Sequence, residues 1–190
     1  EICPFLDNFV EHRIPTGEGL WKSLTLHGHH MFYTQSGKHE ISDRHKPYFD
    51  PKVYGWTQLA DICDFTTNYF KSFPCKEKNR IRFMLLEPNG FIKPHSDNEK
   101  PRLFSAINFA VYHPKDCLFN IGNEFINWKN GEVRAMNTYF KHWVKNNSKQ
   151  RRLHMILHGN MKIDNNFIRL ALNSYEKYRN SENWDEVLKQ

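Results

Sequence analysis

The sequence predicts a mainly β domain with flanking helices, a sandwich or barrel with helical buttresses. Three observations predict it. Short apolar runs with a period of two fill the stretch from Arg80 to Leu157 and are separated by tight-turn residues. Helical periodicity is confined to either side of that block, at about 56–73 and 165–188. Fifteen Phe, eight Tyr and five Trp let a chain of 190 residues build a dense core from a modest apolar fraction.

The elements follow in order. Residues 1 to 50 read as irregular, rich in His, Gly and Pro, with Pro47 and Pro51 bracketing a loop. Over 56–73, Trp56, Leu59, Ile62, Cys63, Tyr69, Phe70 and Phe73 recur at helical spacing, and Pro74 stops the helix. From Arg80 to Leu86 the chain alternates and then runs apolar, as a half-buried strand does. On this reading Arg80 and Arg82 mark a solvated face. Pro88-Asn89-Gly90 is a turn, and Phe91-Ile92-Lys93 leads into Pro94 and His95-Ser96-Asp97. Leu103 to Tyr112 and Cys117 to Ile121 read as strands. Phe125–Trp128 and Val133–Met136 flank Lys129-Asn130-Gly131-Glu132, a strong hairpin signal. Arg152 to Leu157 is a further strand. Helices over Asn165–Tyr178 and Asn183–Leu188, the second capped by Ser181, close a single domain spanning 1–190 with its core at about 80–159.

The net charge of +6 favours anionic partners, but the basic residues are spread along the chain and read mostly as a solvated surface. The one dense cluster is Lys141, Lys145, Lys149, Arg151 and Arg152, assigned to an anionic small molecule before nucleic acid. No aromatic-basic interleaving suggests a nucleic-acid platform, so an oxygenase acting on nucleic acid ranks last. Cys3, Cys63, Cys75 and Cys117 are scattered without a C-x-x-C pair, which points to reduced thiols and a cytoplasmic setting. No apolar run spans a bilayer and no signal-peptide pattern opens the chain. A first residue of Glu1 rather than Met fits either a trimmed chain or a domain of a longer polypeptide.

The chemistry concentrates in His95, Asp97, His142 and Arg152. Two histidines and one carboxylate form the ligand set that holds non-haem Fe(II) on one face and leaves the other open. His95 and Asp97, at i and i+2, point to one side of an extended segment. A jelly roll brings a later strand, carrying His142, back beside the first. Arg152 follows His142 by ten residues across Lys145-Asn146-Asn147-Ser148, a loop that can turn the chain back. Its guanidinium fork suits a dicarboxylate held beside the metal, such as 2-oxoglutarate. The remaining three coordination positions would take a bidentate 2-oxo acid and O2. His154 shares the parity of Arg152 and either lines the pocket or is a core histidine. His27, His29 and His30 read as a surface cluster, with His30 and Tyr33 as candidate substrate contacts.

These residues carry a resemblance. The blocks Leu86-Glu87-Pro88-Asn89-Gly90-Phe91-Ile92-Lys93-Pro94-His95-Ser96-Asp97, Gly131-Glu132-Val133 and His142–Ser148 running into Arg152-Leu153-His154 resemble the aspartyl/asparaginyl β-hydroxylase family of 2-oxoglutarate oxygenases, which includes bacterial proline hydroxylases. The resemblance covers the stretch from Arg80 to Gly159. It implies a double-stranded β-helix of jelly-roll, cupin-like type. It implies iron bound by His95, Asp97 and His142, and the 2-oxoglutarate C5 carboxylate bound by Arg152. It also implies hydroxylation of an amino acid or peptide side chain with oxidative decarboxylation of the cosubstrate. Animal members have Gly in place of Asp97, so the complete set here is more similar to the bacterial hydroxylases. Where those members hold the cosubstrate with Ser, Arg and His, this chain has Met84, Phe104 and Ala106. Arg82, Arg102 and Asn108 are then the candidates for the C1 carboxylate. The competing reading is a non-catalytic cupin-like module that binds a metal or ligand.

Overall fold

The computed structural model describes residues 1–12, 18, 20–33, 55–75, 78–97, 106–159, 165–170 and 173. Among them the strands are β1 Val10–Glu11, β2 Trp21–Gly28, β3 Gly55–Trp56, β4 Lys78–Leu86, β5 Phe91–His95, β6 Ala106–Tyr112, β7 Cys117–Ile121, β8 Glu124–Phe125, β9 Val133–Met136, β10 His142–Asn146 and β11 Arg152–Gly159. From β4 onward they pair as one long hairpin rolled up on itself: β4 with β11, β5 with β10, β6 with β9 and β7 with β8, all antiparallel. Rolling adds two cross-pairings, β11 with β6 and β10 with β7. The result is a large sheet β1-β2-β4-β11-β6-β9, with β3 on β2, and a small sheet β5-β10-β7-β8. This nested pairing is the double-stranded β-helix, a jelly roll.

The parity of β4 shows how the layers form. Ile81, Phe83 and Leu85 face outward into a core shared with Leu24, Leu26, Leu59 and Phe70. Met84 and Leu86 face inward into a second core with Trp21, Ile92, Phe119, Trp128 and Val144. Both faces are buried, because helices cover one side and the small sheet the other. Each fully buried Leu or Phe there contributes roughly 1.5–3 kcal/mol of burial. Phe167, in the helical residues 165–170, joins the outer core.

Turn chemistry sets the register. Glu87 accepts a hydrogen bond from the Gly90 N–H, with Pro88 second and Asn89 third at φ 62°, the pattern of a type II turn. A side chain at Gly90 would collide with Leu86 and the Glu87 carbonyl. The buried amide of Asn146 ties this turn to the β10–β11 turn. Its Nδ2 lies 3.2, 3.1 and 2.7 Å from the carbonyls of Leu86, Glu87 and Gln150. Its Oδ1 accepts from Ser148 N and Oγ.

Several expectations are corrected. The segment 56–73 is not one helix. Trp56 pairs with His27 at the sheet edge, and the helices Leu59–Ile62 and Asp64–Ser72 break at Cys63, whose φ/ψ of −104°/59° is non-helical. The second helix is capped from far away, by the Glu1 carboxylate on the N–H groups of Phe65 and Thr66. The stretch 1–50 is not uniformly irregular, since β2 is a buried strand between β1 and β4. The hairpin expected around Asn130-Gly131 does not form. β8 pairs with β7 and β9 with β6, so the turn is a corner between the two sheets. Gly131, at φ 81°, donates to the Ala110 carbonyl there, and the Glu132 carbonyl accepts from the Ala110 N–H. Residues 103–105, most of the helix expected to Tyr178 and all of 183–188 lie outside the described residues. Among those described, no helix is long and apolar enough to cross a membrane. The four cysteines are free thiols, three of them buried.

Candidate metal and carboxylate site

His95 ends β5 and His142 opens β10, and the two lie directly opposite each other in the small sheet. Burial alternates along β10, so His142, Val144 and Asn146 turn inward while Lys145 is exposed. A register shift between His142 and Val144 frees the end of the strand from strict pairing. Asp97, two residues beyond His95, is anchored by its N–H on the Thr138 carbonyl. One ligand atom from each of His95, Asp97 and His142 falls within 4.8 Å of the others. Asp97 lies 3.5 Å from His95 Nε2 through Oδ1 and 3.7 Å from His142 Nε2 through Oδ2. The two imidazole centroids are 4.4 Å apart.

Each of these imidazoles has its tautomer fixed by the backbone carbonyl two residues before it. His95 Nδ1–H donates to the Lys93 carbonyl at 2.7 Å, and His142 Nδ1–H to the Phe140 carbonyl at 3.0 Å. A carbonyl only accepts, so both Nε2 lone pairs face the shared space with Asp97. A ring that donates Nδ1–H to a backbone carbonyl and keeps Nε2 as an acceptor is in the form that ligates a metal. The donor set of two imidazoles and one carboxylate fits Fe(II) with open positions.

Arg152 starts β11, beyond the turn that ends β10, opposite Leu86 and on the inner face. It is 3% exposed, and among the described residues no carboxylate pairs with it. Burial pushes its guanidinium down to about 10, still charged at neutral pH. Its Nη2 lies 2.9 Å from His154 Nδ1, and its buried Nε has no hydrogen-bond partner among the described residues. Phe119 packs beneath it, 5.7 Å from centroid to Cζ. A buried cation with an unmatched N–H fits an anionic ligand.

The other expected residues are placed as follows. Asn108 is buried on β6, opposite Ile156 and Arg134. Arg102 lies outside the described residues. His30 and Tyr33 form a short bridge in the turn after β2, which folds back so that Thr25 Oγ1 donates to the Tyr33 carbonyl. His154 is fully buried with both ring nitrogens on protein partners, Arg152 and His113, a geometry that leaves no ring nitrogen for a substrate.

Arg82 overturns its expectation. It is 5% exposed rather than solvated, because β4 is covered on both faces. Its Nη2 donates to His158 Nε2 at 2.9 Å, and Nη1 approaches His12 Nε2 at 3.5 Å. His12 Nδ1–H then donates to Ser23 Oγ at 2.8 Å. The His12 ring packs edge-on against Trp21, whose centroid is 6.2 Å from that of His95. A second buried basic group thus stands on the inner face. The alternation of Trp21, Ser23 and Thr25 with Leu24 and Leu26 was the available signal for β2, whereas nothing near His12 or His113 marks their partners.

A jelly roll with two histidines and a carboxylate converging where β5 ends and β10 begins defines the class of metal-site double-stranded β-helix proteins. The family model for aspartyl/asparaginyl beta-hydroxylase matches residues 7–160. The chain belongs to the aspartyl/asparaginyl β-hydroxylase family. The match takes in β2 and the segment before it, well beyond the stretch from Arg80 to Gly159. Similar solved structures include a 2OG-Fe(II) oxygenase family oxidoreductase from Burkholderia pseudomallei, at 10% identity over 83% of this chain and 74% of that one, with TM-score 0.43. A prolyl-4-hydroxylase from Pseudomonas putida is similar at 12% identity over 81% and 78%, with TM-score 0.36. A cupin-2 domain protein from Shewanella frigidimarina is similar at 10% over 50% and 92%, with TM-score 0.33. No curated protein matches the chain.

Proposed function

We propose that this protein is an Fe(II)- and 2-oxoglutarate-dependent hydroxylase of an amino acid or peptide side chain. The observation that carries the reading is the buried Arg152 guanidinium, without a carboxylate among the described residues, inside the same roll that gathers His95, Asp97 and His142. Family membership supports the reaction type. Iron with 2-oxoglutarate supplies O2-dependent C–H hydroxylation, yielding succinate, CO2 and the hydroxylated product.

The chain's own residues do the positioning. His95, Asp97 and His142 would hold the metal through two Nε2 atoms and one carboxylate oxygen. The Lys93 and Phe140 carbonyls keep both imidazoles in the ligating tautomer. Arg152 would take the distal carboxylate of the cosubstrate by charged hydrogen bonds, which its buried surroundings over Phe119 would keep strong. Arg82 and Asn108, on the inner face, are the described groups available to the C1 carboxylate or to a polar substrate. The apolar inner core around Trp21, Phe119 and Trp128 keeps the Arg152 end of the site buried, while Asp97 at the other end is exposed.

The test is succinate formation by the iron-loaded protein with panels of free amino acids and short peptides, beside Asp97→Ala. Succinate that appears with one substrate class and vanishes in Asp97→Ala supports the proposal. A folded protein that binds metal but neither binds nor consumes 2-oxoglutarate refutes it and favours a non-catalytic cupin-like module.

A further inference from the structure

Arg152 is the near end of a hydrogen-bonded chain with a single direction. Arg152 Nη2 lies 2.9 Å from His154 Nδ1, His154 Nε2 lies 3.0 Å from His113 Nδ1, and His113 Nε2 lies 2.8 Å from the Cys117 carbonyl. A guanidinium only donates and a carbonyl only accepts. The Cys117 oxygen therefore requires the proton of His113 on Nε2, leaving Nδ1 as an acceptor. That acceptor requires the proton of His154 on Nε2, leaving its Nδ1 to accept from Arg152. Both ends give the same answer, and both rings are neutral. A proton added to either ring would set two N–H groups against each other.

The chain spans three elements. Arg152 and His154 share the inner face of β11, His113 follows β6, and Cys117 opens β7. Trp128 stands edge-on to His154 at 5.0 Å and lies 6.4 Å from His113, packing against both rings. An arginine side chain left to itself would sample many rotamers and lose that freedom on binding a carboxylate. Here one nitrogen is held sideways by His154, while Nε–H stays buried without a partner among the described residues.

We infer that His154, held in one tautomer by His113, is the positioning residue that presets the Arg152 fork for the distal carboxylate of the cosubstrate. The inference rests on the proposed function and goes beyond it. The selectivity of this chain for a dicarboxylic 2-oxo acid depends on two histidines that touch neither metal nor cosubstrate. Loss of His113 acts through the ring: His154 is then free to present N–H to Arg152, and the fork is displaced.

The experiment compares anaerobic calorimetric binding of 2-oxoglutarate and of 2-oxobutyrate, which lacks the distal carboxylate, to the Mn(II)-loaded protein. The variants are His154→Leu, His113→Leu, His154→Asn and Arg152→Ala. His154→Leu and His113→Leu should each weaken 2-oxoglutarate by about tenfold or more, about 1.4 kcal/mol, and leave 2-oxobutyrate and Mn(II) affinity unchanged. His154→Asn, whose Oδ1 replaces the Nδ1 acceptor, should recover part of the loss. A merely structural role would weaken both 2-oxo acids together, and that result overturns the inference. Unchanged 2-oxoglutarate affinity in both leucine variants, with Arg152→Ala impaired, also overturns it while the proposed function stands. Normal 2-oxoglutarate binding by Arg152→Ala would refute the cosubstrate site itself and the inference with it. Should His154→Leu fail to fold, His113→Leu on the half-buried end of the chain decides the question.

Discussion

Two pairs of histidines in this molecule obey one rule and reach opposite ends. In the pair His95 and His142, Nδ1–H donates to the backbone carbonyl two residues earlier, which turns each Nε2 lone pair toward Asp97. In the pair His113 and His154, Nδ1 accepts, and Nε2–H is spent on another protein group. The partner of one nitrogen decides the work of the other. The first pair takes its partner from local backbone. The second takes its partners across 41 residues of sequence and ends on a buried cation. A histidine pair can thus be a ligand set or a scaffold for an arginine, and burial alone does not separate the two.

The largest effect is expected at the proposed metal ligands. Asp97→Ala or His142→Ala should lower turnover by more than about 100-fold, beyond the loss typical of outer-shell groups, with the fold retained by circular dichroism. Arg152→Ala comes next. Removing one partner of a buried charged contact costs about 2–5 kcal/mol, so 2-oxoglutarate affinity should fall severely while metal affinity, read by titration, holds.

Asn146→Ala separates positioning from chemistry. It strips the buried groups of two turns of a partner, so thermal unfolding should show a loss of about 1–3 kcal/mol. Asn146→Asp should be worse, because an acceptor would then face three carbonyls.

The smallest effect is the dependence of stability on pH. Burial, then the Arg152 charge, pushes the His113 imidazole from an ordinary 6.5 down to about 4. His154 is pushed well below 6.5 by burial, Arg152 and His113 in turn. Between those limits the unfolded chain binds protons that the folded chain refuses. Their stabilisation is therefore complete above about 6.5 and declines as pH falls toward 4. Urea unfolding across this window should give a flatter profile for His113→Leu than for the parent. Glu87 acts lower on the scale. Burial raises its carboxyl, but hydrogen bonds from Lys22 and Arg151 outweigh that and hold it below the ordinary value. Its contribution is present above the unfolded carboxyl range and lost as pH falls through the folded one.

The same contrast explains what the sequence disclosed. The grouping of His95, Asp97 and His142 and the burial of Arg152 were anticipated from i, i+2 parity, the ten-residue spacing and the family resemblance; β4 to β7 and β11 were read by period or by turn residues, and β10 only as a later strand carrying His142. Trp21–Gly28 was hard to read because it is buried on both faces, with serine and threonine at inward positions. Arg82 looked solvated because alternation cannot tell an outer surface from a lined interior. The break at Cys63 and the corner at Gly131 depend on Glu1 and Ala110, partners far away in sequence. His113 carries no local sign of its role, since only the rolled topology brings it to His154.

The most direct test of the central claim is an anaerobic visible spectrum of the Fe(II)-loaded protein before and after 2-oxoglutarate. A weak metal-to-ligand charge-transfer band should appear on addition and be strongly reduced in Arg152→Ala at the same 2-oxoglutarate concentration. A folded, iron-loaded protein that shows no band at saturating 2-oxoglutarate would contradict the claim.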